Sequence, residues 1–410
     1  MTITMKRVLF AIALCVAATP SFAQKKAVNE AQSIAKGTNA NYDEARGLVK
    51  GALENTETKE DPKTWYVAGY VEDQQFSAER MKQVLGQQPN EPVMYTALMN
   101  ILPYFEKAYE LDQLPNEKGK VKPKYTKDLK GILGANHVYY VNAGAYYFDE
   151  KDYQKAYNAF EQYIKIANMP MFKGEKTAER DSQFMTVQYY SAIAATQLDN
   201  PQLAISTLNR AKDTEFKQNE VYQYLAYEYE QLQDSVNLEK ILSEGFAKFP
   251  EEKYFLMYLI NIYIYSDRNE QALQYLETAI QQEPNNAQLY TVRGRVYESG
   301  LKDMAKAEES FKKALEVDPN STEALSSSGR VYYNQGVNKL QEANMINDAK
   351  LYQEEAEKAK GFFKQALPYF EKVHQADPQD KEAMTALRSI YYNLNMNAEF
   401  DAMDAKMNAN

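Results

Sequence analysis

Residues that ordinarily carry acid–base or metal chemistry are scarce in this sequence. His137 and His374 are the only histidines among 410 residues, which removes the commonest general base and the commonest metal ligand from most of the chain. Neither lies at a recognisable spacing from a serine, a cysteine or a paired carboxylate. His137 reads as the start of a helix after a loop, near Asn136. His374 reads as a residue near a helix end, where a cation suits the helix dipole. Both are read as surface or capping histidines. No glycine-rich phosphate loop, His-Glu-x-x-His pattern or calcium-loop pattern occurs. Acidic residues are abundant, but runs such as 353–357 read as solvated helix faces, and nothing points to a glycosidase-like carboxylate pair. The one cysteine, Cys15, lies in an apolar run near the start, so the rest of the chain has no thiol nucleophile, disulfide or cysteine metal site. The chain therefore reads as non-enzymatic, with no cofactor and no metal.

Charge and composition narrow the class further. The formal net charge is −10, so the chain gains nothing from nucleic-acid phosphate and is repelled by an anionic membrane surface. A hydrophobic content of 44% with 25% charged residues is that of a globular protein. Glycine (16) and proline (14) are too sparse for a turn-rich all-β fold. Tyrosine is the anomaly, with 33 residues against 17 Phe and one Trp.

The first residues read as a targeting segment. Lys6 and Arg7 precede an apolar run over 8–18, which is too short to span a bilayer. Ser21-Phe22-Ala23 follows, with small residues at the −3 and −1 places of a cleavage site. Residues 1–23 are thus a secretory signal peptide, cut after Ala23. Cleavage leaves 387 residues and, by removing two cations, moves the net charge from −10 to −12. Cys15 resembles a lipidation site poorly, because Leu14 stands where that pattern has Gly or Ala. The expected product is soluble and exported, in the periplasm or cell envelope of a Gram-negative bacterium.

One period organises the remainder. Pro250, Pro284 and Pro319 are 34 and 35 residues apart, and Pro378 follows after 59, one period plus an insertion. Between them the same residue types recur: Leu256, Ile260, Tyr263, Ala272, Leu276; then Tyr290, Gly294, Tyr297, Ala307, Phe311; then Leu325, Gly329, Tyr332, Ala366, Phe370. Earlier come Tyr140, Gly144, Tyr147, Ala156 and Phe160. Each unit reads as two amphipathic helices. A small residue on the first helix lets the second approach, large residues fill the groove, and proline ends the unit. Leu-Pro-Tyr-Phe-Glu-Lys occurs twice, at 102–107 and 367–372, and marks an early, degenerate unit that opens at Trp65 and Gly69.

On these residues the chain resembles a tetratricopeptide repeat (TPR) protein of the exported bacterial type. The match is strongest over 219–334 and 137–168. The resemblance implies an all-α, right-handed TPR-like α-solenoid of about nine helix-turn-helix units. Degenerate repeats occupy 24–112, a basic loop 113–136, and TPR-like repeats 137–380, with insertions at 169–182 and 335–361. A capping repeat closes the chain at 381–410. The loop at 113–136 carries Lys118, Lys120, Lys122, Lys124, Lys127 and Lys130. It is either a solvated loop or a basic contact arm.

The resemblance also implies a concave groove lined by the first helices. Unit position 9 then holds Tyr227, Asn261, Arg295 and Arg330, and positions 12 and 13 hold Tyr265, Tyr333 and Asn334. Asn261, Arg295 and Arg330 should form a ladder, flanked by Tyr227, Tyr265 and Tyr333, that suits a carboxylate-bearing ligand. The competing reading has Glu298 or Glu323 neutralising the arginines. Lysine is missing from positions 2 and 5, so the carboxylate clamp of chaperone-tail binders is incomplete. The expected function is a non-catalytic scaffold holding a peptide, a protein segment or a glycan. The alternative is a structural or assembly subunit of a cell-envelope complex.

Overall fold

The computed structural model describes residues 19–409. Lys6, Arg7, the apolar run 8–18 and Cys15 lie outside the described residues. Among the described residues eighteen α-helices follow one another along the chain, most of them packed as consecutive pairs. They are α1 Thr19–Ala35 with α2 Tyr42–Glu54, α3 Pro62–Val84 with α4 Glu91–Asp112, and α5 Thr126–Asp149 with α6 Tyr153–Asn168. Next come α7 Ser182–Thr196 with α8 Pro201–Lys212, then α9 Gln218–Gln231, α10 Ser235–Lys248, and α11 Lys253–Tyr265 with α12 Asn269–Gln282. The last are α13 Ala287–Arg295 with α14 Met304–Val317, α15 Thr322–Asn344 with α16 Ala349–Ala376, and α17 Lys381–Asn393 with α18 Asn397–Ala409. The described residues contain no strand, and one isolated bridge joins Pro115 to Val121. The fold is an all-α TPR-like solenoid. Its helices fall into two compact units, Met1–Ser235 with α1 to α9 and Val236–Asn410 from α10 onward.

Local chemistry sets the helix ends. Side chains of Asn41, Asp61, Asn90, Asp152, Asp181, Asn200, Asn286, Asp303, Ser321, Asp348 and Asp380 accept N–H bonds from the first turns that follow them. Each such cap is worth about 1 kcal/mol. Pro250, Pro284, Pro319 and Pro378 stand just past the ends of α10, α12, α14 and α16, in the turns to the next unit. A proline there cannot extend the helix before it.

Packing inside a unit turns on a glycine facing a phenylalanine. A Cβ built on Gly144 would lie 2.2 Å from the Phe160 ring, on Gly294 2.4 Å from Phe311, on Gly69 2.4 Å from Phe105, and on Gly329 2.8 Å from Phe370. The space that glycine frees on the first helix is filled by a ring from the second. All four rings are buried, and burying each contributes about 1.5–3 kcal/mol.

The spacing of 35 residues between Pro284 and Pro319, against 34 before it, has a local cause. Residues Val296–Gly300 form a π-turn at the end of α13, with the Leu301 N–H donating to Val296 O at 3.0 Å. The extra residue is absorbed there, and α14 stays in register with α13.

Helix α5 corrects one boundary. The basic loop expected over 113–136 ends at Tyr125, because residues 126–136 are helical. Gly131 and Gly134 argue locally against a helix. Leu129, Leu133, His137 and Tyr140 nevertheless recur at helical spacing and are buried. The helix start has no side-chain cap of its own. Asp112, at the end of α4, accepts N–H bonds from Lys124, Tyr125 and Thr126 at 2.8, 2.9 and 2.8 Å, and the Thr126 hydroxyl at 2.8 Å. Residues 169–182 are a short connection with two 3-10 turns, 170–172 and 176–178. Residues 335–361 fall in α15, its turn and α16.

Candidate partner-binding face

The seven residues expected to line a groove separate by surroundings. In the unit Val236–Asn410, α13, α15 and α17 lie side by side as successive first helices. Arg295 on α13 meets Glu323 on α15 at 2.7 Å. Arg330 on α15 reaches back to Glu298, with Nε to Oε1 at 3.3 Å and Nη2 to Oε2 at 3.1 Å, and forward to Glu382 on α17 at 3.4 Å. Both arginines hold unit position 9, and Glu323 and Glu382 hold position 2 of the following unit. The pairing therefore repeats with the period. Glu298 is 8% exposed. Its hydrogen bond raises the Arg330 pKa above the ordinary value, against burial. The competing reading of the arginines is the arrangement found: they tie one first helix to the next. Tyr333 is a tie as well. Its hydroxyl donates to Ser389 Oγ at 2.9 Å, and its ring meets Phe363 edge-on at 5.8 Å.

The remaining residues face water. Tyr265 is 89% exposed, Asn261 lies one turn before it on α11 and is exposed, and Asn334 is exposed on α15. Tyr392 on α17, at unit position 12, is 69% exposed. It borders a cleft of about 660 Å³ between the α15–α16 hairpin and the end of α17, together with Leu340, Asn344, Tyr352, Phe363 and Asn393. Tyr227, half exposed on α9, belongs to the other unit.

Most tyrosines have a different task. Tyr263 and Tyr332, both at unit position 11, donate their hydroxyls to Glu239 at 3.0 Å and Glu308 at 2.6 Å, each on the preceding second helix. Burial, then the carboxylate, holds both phenols above their ordinary pKa. Tyr140 donates to Leu98 O at 3.0 Å, and Tyr42 to Gln74 O at 3.2 Å. A ring fills the groove while its hydroxyl reaches a neighbouring helix, which accounts for much of the tyrosine excess.

His137 is not a surface residue. It lies well inside α5, 8% exposed, stacked on Tyr163 at 3.8 Å with Nε2 2.9 Å from Tyr163 O. Burial lowers its pKa, against the Tyr163 carbonyl. Its helix starts eleven residues earlier than local signals suggest, which turns this position inward. The sequence reading also missed two anchors, Asp112 and Gln162. Pro103 has no N–H for the carbonyl of Met99, and Gln162 Nε2 supplies one at 3.1 Å. A proline inside a helical pattern signals a freed carbonyl, but the donor comes from the next unit.

Among the described residues no helix is long and apolar enough to cross a membrane. No group of three or more His, Cys, Asp or Glu among them is placed to hold a metal ion.

Two tetratricopeptide-repeat family models match the chain, over residues 259–322 and 137–168. Among curated proteins, none matches. Similar solved structures include MamA of Desulfovibrio magneticus RS-1, at 16% identity over 48% of this chain and 97% of that one, TM-score 0.34. A TPR repeats protein of Bacteroides fragilis NCTC 9343 aligns at 19% identity over 62% of this chain and 98% of that one, TM-score 0.31. TPR folds serve as protein-interaction scaffolds, and such families are generally non-catalytic. The two matched segments are tetratricopeptide repeats, and the glycine–phenylalanine packing they carry recurs at Gly69–Phe105 and Gly329–Phe370 outside them.

Proposed function

We propose that this protein is an exported, non-catalytic scaffold that holds an extended protein or peptide segment on the first-helix face of residues 236–410. The observation that carries the reading is the exposure of Tyr265 and Tyr392, 89% and 69%, in a chain whose other tyrosines largely fill helix grooves. Rings left in water beside amides suit a peptide: tyrosine covers its apolar side chains and asparagine pairs with its backbone. Asn261, Asn334 and the cleft at Tyr392 supply those amides. Arg295 and Arg330 are engaged by acids and serve chiefly to keep the first helices in register.

Export with cleavage after Ala23 fits the first helix. The described buried residues of α1, namely Val28, Ala31 and Ala35, all follow that bond.

The test is capture of envelope proteins by the chain and by a Tyr265→Ala/Tyr392→Ala variant. Capture should fall about tenfold or more if these are anchor residues, with the helical signal and melting temperature unchanged. Equal capture by a well-folded variant overturns the face. Intact mass of the exported protein should give a chain that begins at Gln24.

A further inference from the structure

A second surface lies between α4 and α5, on residues 113–125. It is a built ribbon. At its tip the Asn116 side chain accepts the N–H groups of Lys118 and Lys120 at 2.9 and 3.2 Å, Gly119 N–H donates to Asn116 O at 2.8 Å, and Asn116 N–H donates to Lys120 O at 3.0 Å. Gly119 has φ +70°, a conformation that suits glycine. At its base the Asp112 carboxylate holds the backbone of residues 124–126, and Tyr125 stacks on Tyr66 at 4.8 Å.

What this frame presents is a comb of cations. Lys118, Lys120, Lys122 and Lys124 occupy every second place, and all are exposed. Val121 bridges to Pro115 in antiparallel sense, and Pro123 biases Lys122 toward extended backbone. Lys120 and Lys122 flank the bridged Val121 and so share a side, while Lys118 stands in the tip turn and Lys124 at the base. Lys130 pairs with Glu175 at 2.7 Å, but among the described residues none of these four lies within ion-pair distance of an acid. Glu117 is the one acid in 113–127, against five lysines. Two aliphatic side chains accompany them, Leu114 and Val121, 57% and 50% exposed.

The residue types choose between occupants. Lysine is a strongly hydrated point charge, poor at the planar two-pronged recognition that arginine gives a defined carboxylate. Interface cores between proteins are depleted in lysine and enriched in aromatics and arginine. Single-stranded nucleic acid asks for exposed rings to stack on, and the ribbon's one ring, Tyr125, is stacked on Tyr66. Lysines interleaved with aliphatics fit a diffuse anionic plane with an apolar layer beneath it. We propose that the 113–125 ribbon is a docking element for a membrane surface of anionic phospholipid headgroups, its lysines set among them and Leu114 and Val121 entering the acyl boundary. The net charge of −10 opposes approach at long range. The ribbon reverses that sign locally.

The experiment is co-sedimentation of the full chain with phosphatidylcholine vesicles, with and without phosphatidylglycerol. Phosphatidylcholine alone reports any contribution of the apolar segment 8–18. The expected result is added binding that requires phosphatidylglycerol and is lost at about 1 M salt, where screening reaches down to about 3 Å. A Lys118→Gln/Lys120→Gln/Lys122→Gln/Lys124→Gln variant should lose about tenfold or more of it. The matching Lys→Arg variant should keep it, and Leu114→Asn/Val121→Asn should lose several-fold. Binding indifferent to phosphatidylglycerol, or undiminished in the glutamine variant, overturns the proposal. So does an unchanged Leu114→Asn/Val121→Asn variant that is also retained by polyglutamate beads, since the partner is then an acidic macromolecule.

Discussion

Helices α3–α4 and α15–α16 carry the same six-residue stretch, Leu-Pro-Tyr-Phe-Glu-Lys, at 102–107 and 367–372, in two different surroundings. In both, the Phe of the stretch packs on a glycine of the partner helix, Phe105 on Gly69 and Phe370 on Gly329. Two turns along, the arrangements part. The first pair has Phe76 and Leu98, both with no exposed surface. The second has Gly336 and Phe363, where a Cβ on Gly336 would lie 2.9 Å from the ring. Large and small have changed sides. Beyond that point the first pair is covered by α5, with Phe76 edge-on to Tyr139 at 5.4 Å. The second runs on as a hairpin tied across by the ion pair Lys339–Glu355 at 2.6 Å. Its turn leaves Met345 84% exposed. The shared stretch specifies one lock between two helices. Its neighbours decide whether lengthened helices become core or surface.

Phe105→Ala and Phe370→Ala should be the most damaging changes, each costing about 3–5 kcal/mol through a cavity beside a glycine that cannot fill it. Urea unfolding of both variants measures this. A loss in one and not the other would break the equivalence of the two locks.

Gly336→Phe places a ring where Phe363 already lies, at a cost of about 1–3 kcal/mol. Adding Phe363→Leu recreates the pattern of Phe76 and Leu98, and should recover about 1 kcal/mol or more in a double-mutant cycle. Additive losses would mean that the two pairs differ by more than a size exchange.

Seven residues after each phenylalanine stands an aspartate, and these two also differ. Asp377 is exposed and accepts one N–H, from Gln379 at 2.9 Å. Asp112 is 6% exposed and holds the start of α5. Burial works against its ionisation, but the hydrogen bonds from Lys124, Thr126 and Tyr125 outweigh it and set its pKa below the ordinary carboxylate value. A depressed folded value means stabilisation present above the unfolded value of about 3.9 and lost as pH falls through the folded one. Asp112→Ala should therefore cost about 1–3 kcal/mol near neutrality, more than Asp377→Ala, and the gap to wild type should narrow below about pH 4. Thermal melts across that range test it. A gap that does not change with pH would place the loss in packing alone.

The repeat was legible in the sequence because its signals are local or periodic. Proline spacing, Gly294 and Gly329, and the apolar rows of each helix need no knowledge of the partner helix to be seen. Even the extra residue between Pro284 and Pro319 was countable, although its resting place as a π-turn was not. Three other features depended on groups distant in the chain. The start of α5 was hidden because Asp112 caps it from the previous helix. His137 turned inward because that start moved. Arg295 and Arg330 were visible as a recurring position, but whether they faced a ligand or Glu323 and Glu298 depended on how successive first helices stack. Short-range backbone and side-chain preferences write the helices and their pairing into the sequence itself. Which polar groups meet each other, and which are left to water, is settled only when neighbouring units come together, because hydrogen bonds and ion pairs act over a few ångströms between residues tens of positions apart.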